Sequence, residues 1–126
     1  MYELSKSFIF EAAHTLQRDV GDVKDTTVIE SSRRIHGHSY RATVFLQGCP
    51  DPVSGMLIEL SVLDAELRHA QALLDHRFLD DVAGLGPATL ENLCAYLWRY
   101  CSPRLKGLVR ITVSREMTGD ACSYYE

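Results

Sequence analysis

The chain has 126 residues, of which 46% are hydrophobic and 24% charged, and its formal net charge is −4 at pH 7. This size and composition suit a single folded domain over residues 1–126 and exclude an intrinsically disordered chain. The basic residues are scattered and no apolar run is long enough to span a bilayer, so neither nucleic acid nor a membrane is expected as a partner. The segment MYELSKSF lacks the basic and apolar regions of a secretion signal, and the four cysteines form no CxxC pair, so we expect a cytoplasmic protein with reduced thiols.

The first half of the chain is predicted to hold two strands separated by a long loop. Residues 2–10 are rich in aromatic and β-prone side chains, and residues 36–47 place an apolar row on one face of a strand. Residues 17–35 are polar and predict a loop, which at such a length is often functional in a compact domain. Glycine and proline residues between positions 48 and 55 predict a turn.

The second half is predicted to hold two helices and two more strands. One helix begins near Ser61, which we take as its capping residue. Its inward stripe consists of Leu63, Leu67, Ala70 and Leu74. The other helix begins near Thr89 and ends before Pro103, because the residue before a proline disfavours helical geometry. Residues 108–115 alternate as a strand, and residues 120–126 form a short strand or tail.

The element order strand, strand, helix, helix, strand, strand predicts an α+β fold. Its sheet would be antiparallel and four-stranded, with two helices on one face. Such a sheet leaves two open edges, and proteins usually pair or blunt exposed edges. Oligomerisation with closed symmetry is therefore expected.

Two histidines lie one residue apart in the segment RRIHGHSYRATVFLQG. Because side chains alternate between the faces of a strand, His36 and His38 share the face of the apolar row. His14, in the segment FEAAH, would approach them if the first two strands form a hairpin. Three neutral imidazoles with an open fourth position are a catalytic zinc arrangement. Ordinary packing of three unrelated histidines is the alternative, since a short HxH motif is weak by itself.

Asp75 and His76, in the segment LLDHRFLDD, end the first predicted helix. The histidine could simply be favoured there by the helix dipole. The pair could also transfer protons, because histidine titrates near neutral pH and an adjacent carboxylate orients it.

Six segments along the chain together resemble one protein family. They are FEAAH, HGHSY, GMLIEL, LDHRFL, ATLEN and a late glutamate, and they span about residues 2–124. In this order they resemble the 6-pyruvoyltetrahydropterin synthase and 6-carboxytetrahydropterin synthase family. The resemblance implies the tunnelling fold, in which trimers close their sheets into a barrel and two trimers stack as a homo-hexamer. It also implies that the active sites lie between subunits.

The resemblance implies a role for several single residues. It implies Zn²⁺ as cofactor on the histidines at positions 14, 36 and 38, and a catalytic pair formed by Asp75 and His76. It further implies that Glu116 anchors the pterin and that Thr89 lies near the pterin pocket. The register of Glu116 follows from counting back from Tyr124, with a bulge in the preceding strand. An exposed glutamate at a strand end is the alternative.

One position departs from the family pattern. The family usually carries a catalytic cysteine four residues before the first histidine of HGH, where this chain has Ser32. A thiol titrates near ~8.5 and can act as a base, whereas a serine hydroxyl needs a base beside it. Glu30 lies two residues earlier and is a candidate replacement, although a solvated loop glutamate is the simpler interpretation.

The resemblance implies a lyase in the queuosine or deazapurine pathway. It would convert 7,8-dihydroneopterin triphosphate to 6-carboxytetrahydropterin, with Ser32 in place of the usual cysteine. One alternative is another enzyme on the same substrate class, which would form the pyruvoyl product or cleave the side chain. A second alternative, of a different class, is a hexamer that binds pterins without turnover.

Overall fold

The computed structural model describes residues 1–16 and 25–126. The strands are β1 (Tyr2–His14), β2 (His36–Gly48), β3 (Arg77–Phe78), β4 (Leu108–Arg115) and β5 (Asp120–Tyr125). The helices are α1 (Thr26–Arg33), α2 (Leu60–Ala72) and α3 (Leu90–Cys101), and a 3₁₀ turn spans Leu79–Asp81. The strands form one five-stranded sheet in the order β3-β1-β2-β4-β5. Every neighbouring pair is antiparallel except β3, which runs parallel to β1. The predicted α+β fold is confirmed.

The β1–β2 hairpin sets the position of the histidines. Its register places His14 opposite His36 and Ala12 opposite His38. Along β2 the side chains that follow on the same face are buried, from Tyr40 to Leu46. The histidines therefore continue the row of core residues, as the alternation predicted, and close that row at one end of the sheet.

The hydrophobic core lies between this face of the sheet and helices α2 and α3. The helices bury leucines at helical spacing, and each buried leucine contributes about 1.5–3 kcal/mol. These leucines are Leu63 and Leu67 of α2 and Leu93 and Leu97 of α3. Cys94 and Cys101 of α3 are buried beside them, as free thiols. Two helices thus cover one face of the sheet, and the opposite face carries polar pairs such as Ser7–Thr43, whose hydroxyl oxygens are 2.8 Å apart.

The predicted loop at 17–35 is wrong in its second half. Residues 26–33 form α1, whose N-cap Asp25 accepts a hydrogen bond from the backbone N–H of Thr27 at 2.9 Å. A capping residue and the burial of Ser32 define this short helix, rather than an apolar stripe, so the hydrophobic pattern gave no sign of it. Residues 17–24 of the predicted loop lie outside the described residues.

Two further boundaries and the number of strands differ from the prediction. The first strand extends to His14, so this histidine lies on the strand itself. Glu59, rather than Ser61, caps α2, and its carboxylate accepts from the backbone N–H of Ser61 at 3.2 Å. The sheet has a fifth strand because the two residues of β3 pair with the edge of β1. Within residues 1–16 and 25–126, no helix is both long and apolar enough to cross a bilayer.

Candidate active site

Three histidine side chains converge at the end of the β1–β2 hairpin. The Nε2 atom of His14 lies 2.9 Å from Nε2 of His36 and 3.1 Å from Nε2 of His38. His14 is 2% exposed, and the other two side chains are partly buried. Each ring offers one ligand atom, and the three ligand atoms lie within 4.8 Å of one another. The strand register therefore assembles a possible metal site without any irregular backbone.

The hydrogen bonds of the outer ring nitrogens fix two of the three tautomers. Nδ1 of His14 lies 3.0 Å from the backbone oxygen of Ala88, and Nδ1 of His36 lies 2.8 Å from that of Arg34. A carbonyl oxygen only accepts, so both Nδ1 atoms carry the proton when the rings are neutral. Nε2 of His14 and Nε2 of His36 then each carry a lone pair, and these two atoms lie 2.9 Å apart. A cation bound between them would stabilise this arrangement. The donor set fits a metal ion.

Burial keeps His14 and His38 in the neutral form that binds metals. Burial lowers the pKa of His14, against the raising effect of its bond to Ala88. Burial also lowers the pKa of His38, to about 4, and the nearby Arg115 guanidinium adds to this shift. At neutral pH both rings are therefore available as ligands, since only a neutral imidazole has a free lone pair.

Arg115 is a neighbour of the triad that the sequence interpretation missed. Its Nη1 lies 3.4 Å from Nε2 of His38, and its side chain is only 18% exposed. The alternation of β4 could have indicated this position, because Arg115 continues the row of alternate residues in which Ile111 and Val113 are fully buried.

The Asp75–His76 pair lies in the turn between α2 and β3, since the helix ends earlier than predicted. Asp75 Oδ1 accepts from the backbone N–H of Glu11 at 2.8 Å, and Oδ2 lies 3.0 Å from Nδ1 of His76. The backbone N–H of His76 donates to the carbonyl oxygen of Glu11 at 2.6 Å. The bond from Glu11 is the main cause of the lowered pKa of Asp75, which therefore stays ionised and orients the ring.

His76 has a backbone conformation that L residues rarely adopt. Its φ is +56°, and its side chain is 80% exposed. A non-glycine residue held in the left-handed region costs about 1–3 kcal/mol, and such residues cluster at functional sites.

One cleft is lined by one member of each candidate group. It has a volume of about 480 Å³, and both His38 of the triad and His76 of the pair line it, together with Glu11 and Ser39. This volume suits a small molecule. The structure thus joins residues that the sequence separated by 38 positions.

Thr89 shares a cavity with one histidine of the triad, whereas the cavity lined by Glu116 contains none of the three. Glu116 follows the end of β4 and hydrogen-bonds through its carboxylate to Nε of Arg41. The ladder of β4 is irregular only near its start, opposite Phe45, so the bulge is not beside Glu116. Thr89 caps α3 and lines a cavity of about 200 Å³ that His14 also lines.

Ser32 and Glu30 both belong to α1, but only one of them is buried. Ser32 is 8% exposed, and its backbone oxygen accepts from the N–H of Leu16, two residues beyond His14, at 2.7 Å. Glu30 is exposed, and residues two apart do not share a helix face. The two buried thiols are no substitute, because burial raises the pKa of Cys94 to about 12 and of Cys101 to about 11.

Comparisons with known proteins agree with this geometry. The family model described as 6-pyruvoyl tetrahydropterin synthase matches residues 3–126. A Synechocystis protein named 6-carboxy-5,6,7,8-tetrahydropterin synthase is 34% identical over 103 residues, which are 78% of this chain and 73% of the relative. The human 6-pyruvoyl tetrahydrobiopterin synthase is 30% identical over 103 residues, 76% of this chain and 71% of the relative. The structure of the Caenorhabditis elegans 6-pyruvoyl tetrahydropterin synthase superposes with a TM-score of 0.81 at 25% identity, covering 99% of this chain and 95% of that one.

Proposed function

The chain belongs to the 6-pyruvoyl tetrahydropterin synthase family, and on that premise we propose that it is a zinc-dependent pterin lyase of the 6-carboxytetrahydropterin synthase type. The reaction would convert 7,8-dihydroneopterin triphosphate to 6-carboxytetrahydropterin, with release of acetaldehyde and triphosphate, in the queuosine or deazapurine pathway. The observation that carries the proposal is that His38 and His76 line the same cleft. The name of the Synechocystis relative favours this product over the pyruvoyl product.

His14, His36 and His38 are the proposed zinc ligands. Zinc, when bound, polarises substrate oxygens as a Lewis acid. The chain's own contribution is to hold two of the three rings by their Nδ1–H groups on backbone carbonyls, so that the ligand atoms are oriented in advance.

Asp75 and His76 are the proposed proton-transfer pair. The carboxylate of Asp75 accepts the Nδ1–H of His76 and leaves Nε2 of that ring to exchange a proton with a substrate in the cleft. The backbone of Glu11 holds both members of the pair at the edge of β1. The ionised carboxylate also stabilises the imidazolium that forms when the ring takes up a proton.

Glu116 and Thr89 are the proposed pterin contacts. A carboxylate can accept two N–H bonds side by side, which suits the amino group and ring nitrogen of a pterin. Glu116 lines a small cavity of about 170 Å³ with Arg41 and Ser39, and its side chain is 61% exposed and so accessible to a ligand. Tyr40 lines this cavity and also the one that contains Thr89 and His14.

We expect the reaction to be slow because Ser32 stands where the family usually has a cysteine. Its hydroxyl is far less acidic than the thiol it replaces, so the proton abstraction assigned to that position is slow or is done by another residue. Glu30 is the first alternative base. Formation of the pyruvoyl product, cleavage of the side chain, and pterin binding without turnover remain the competing functions.

We place the active sites between subunits of a hexamer built from two trimers. Two features support this assembly. Among the described residues, no strand pairs with the outer sides of β3 and β5, which leaves open sheet edges. In addition, the His76 side chain is 80% exposed at the cleft. Sedimentation should give a hexamer, and monomers alone at micromolar concentration would contradict the assembly.

The test is incubation of the zinc-loaded protein with 7,8-dihydroneopterin triphosphate and identification of the product. We expect 6-carboxytetrahydropterin at a slow rate. Hydroxymethyldihydropterin or the pyruvoyl product would assign one of the other activities, and tight pterin binding with no product would assign a binding protein.

A matched pair of variants tests the position of Ser32 itself. Ser32→Cys should raise the rate by at least about tenfold with little change in pterin affinity, since a thiolate adds a base of the kind worth 10²–10⁴-fold but few ground-state contacts. Ser31→Cys adds the same thiol at the exposed neighbouring position and should not raise the rate. Equal rates in the two variants would remove Ser32 from the site.

A further inference from the structure

Two buried polar groups beside the triad have no partner. The hydroxyl of Tyr40 and Nε of Arg115 are both inaccessible to solvent, and neither forms a hydrogen bond with any atom of residues 1–16 and 25–126. Tyr40 is 1% exposed. A buried donor without an acceptor costs about 1–3 kcal/mol, so two of them in one place call for a ligand that satisfies them.

Tyr40 and Arg115 line the same cavity as His14, one of the proposed metal ligands. The cavity of about 200 Å³ is bounded by His14, Tyr40 and Arg115, with apolar walls that include Leu16 and Leu90. Nη1 of Arg115 also lies 3.4 Å from Nε2 of His38. A ligand in this cavity would therefore lie beside Arg115, Tyr40 and His14 together.

With a metal on the triad, the charge of the cavity favours an anion. An arginine side chain stays protonated in proteins, and a tyrosine hydroxyl offers an O–H donor. Nη2 of Arg115 is bonded to Asp120 at 2.8 Å, and the exposed Glu91 also lines the cavity. A divalent metal on the three neutral histidines adds two positive charges, so the site as a whole is then cationic.

We infer that Arg115 and Tyr40 bind a carboxylate group of the ligand next to the metal-binding histidines. This makes them anchoring residues that select a carboxylate-bearing ligand. The inference rests on the proposed function in one respect, the metal on the triad. It deepens that function, because the proposed product bears a carboxylate.

A carboxylate fits these donors better than a phosphate does. The free Nε–H and the phenol O–H are two donors, and a carboxylate has two oxygens in one plane with a single charge. A phosphate dianion would bring a third oxygen and a second charge into a small cavity with apolar walls, where unsatisfied charge is costly to bury.

The experiment uses the whole protein loaded with Co²⁺, whose visible bands report on ligands at a tetrahedral site. Acetate and inorganic phosphate are the probes, titrated at constant ionic strength. Cobalt stoichiometry is measured first. The variants are Arg115→Gln and Tyr40→Phe, and the control is Arg110→Gln, which removes a guanidinium from the same strand where it lies over the ring of Phe45, 3.7 Å from its centroid.

We expect acetate to bind the wild type and to perturb the cobalt bands. Affinity should fall by about 10–100-fold in Arg115→Gln, as for a hydrogen bond to a charged group, and by about 2–10-fold in Tyr40→Phe. The control should match the wild type. Arg115→Lys should recover part of the loss, because it keeps the charge without the forked donors.

Two results would overturn the inference. One is an acetate affinity in Arg115→Gln within twofold of the wild type, and the other is tighter binding of phosphate than of acetate. If Arg115→Gln fails to fold, Tyr40→Phe decides, and an unchanged acetate affinity there rejects the proposal. Absence of cobalt binding in the wild type would instead reject the metal site, so the two failures are distinguishable.

Discussion

His38 of the histidine triad and His76 of the Asp75–His76 pair line one cleft, yet the chain holds the two groups by different means. The triad lies on two regular strands, where the hairpin register places His14 opposite His36. The pair lies in a turn, with a left-handed backbone at His76 and a side chain that is 80% exposed. Hydrogen bonds to the backbone of Glu11 hold this turn against the edge strand.

This difference fits the roles that we propose for the two groups. Metal ligands need fixed separations, and a strand ladder supplies them because its register is set over 13 residue pairs. A proton-transfer group must reach a substrate, so an exposed ring oriented by one carboxylate is sufficient. We therefore expect changes in the triad to abolish binding of the metal, and changes in the pair to affect rate while sparing the metal.

The largest effect is expected from His36→Ala. Loss of one of three ligands should weaken zinc binding by more than about 100-fold, beyond the 10–100-fold typical of residues that only support a ligand. The measurement is metal content after dialysis against a weak chelator, with circular dichroism to verify the fold. His69→Ala, at an exposed position of α2, is the control and should retain its zinc. Retention of zinc by His36→Ala would show that the triad does not hold the metal, and would contradict the proposed difference between the triad and the pair.

The next effect concerns His76→Ala. Removing a general acid or base should lower the turnover rate by about 10²–10⁴-fold, while zinc content stays that of the wild type. Single-turnover measurements with 7,8-dihydroneopterin triphosphate check the rate, and elemental analysis checks the metal. A variant that loses zinc together with activity would show that the pair and the triad are not separate units.

A smaller effect is expected on stability, and here the substitution should be a gain rather than a loss. His76→Gly should raise the free energy of unfolding by about 1 kcal/mol, because glycine adopts a positive φ at no steric cost. His69→Gly is the matched change in a helix and should lower it by about 0.5–1 kcal/mol. Urea unfolding of both variants gives the values. A destabilised His76→Gly would mean that the contact with Asp75 outweighs the backbone strain.

The smallest effect is a change in acid sensitivity. The pKa of Asp75 is lowered in the folded protein, so its contribution to stability is present above the ordinary carboxyl pKa of 3.8 and is lost as pH falls through the folded value. Asp75→Asn keeps an acceptor for the Glu11 N–H but cannot titrate. Between about pH 5 and pH 3, the metal-free variant should therefore lose less unfolding free energy than the metal-free wild type. Parallel loss in both proteins would contradict this assignment.

The sequence by itself determined the elements that follow a hydrophobic period. The alternation of β2 placed His36 and His38 on the core face, and the leucine stripes located α2 and α3, because these patterns are written in neighbouring residues. The hairpin prediction brought His14 to the same end of the sheet. The family resemblance then assigned roles to the residues, and the match to residues 3–126 confirms the family.

Only the tertiary structure decided the features that depend on contacts between distant segments. The helix at 26–33 is defined by a cap and by burial of Ser32, neither of which produces an apolar stripe. The position of His76 at the cleft depends on Glu11, 65 residues earlier in the chain, whose carbonyl oxygen holds its backbone. The sequence likewise cannot reveal that the Tyr40 hydroxyl has no partner within residues 1–16 and 25–126, because whether a polar atom is satisfied depends on all the atoms around it.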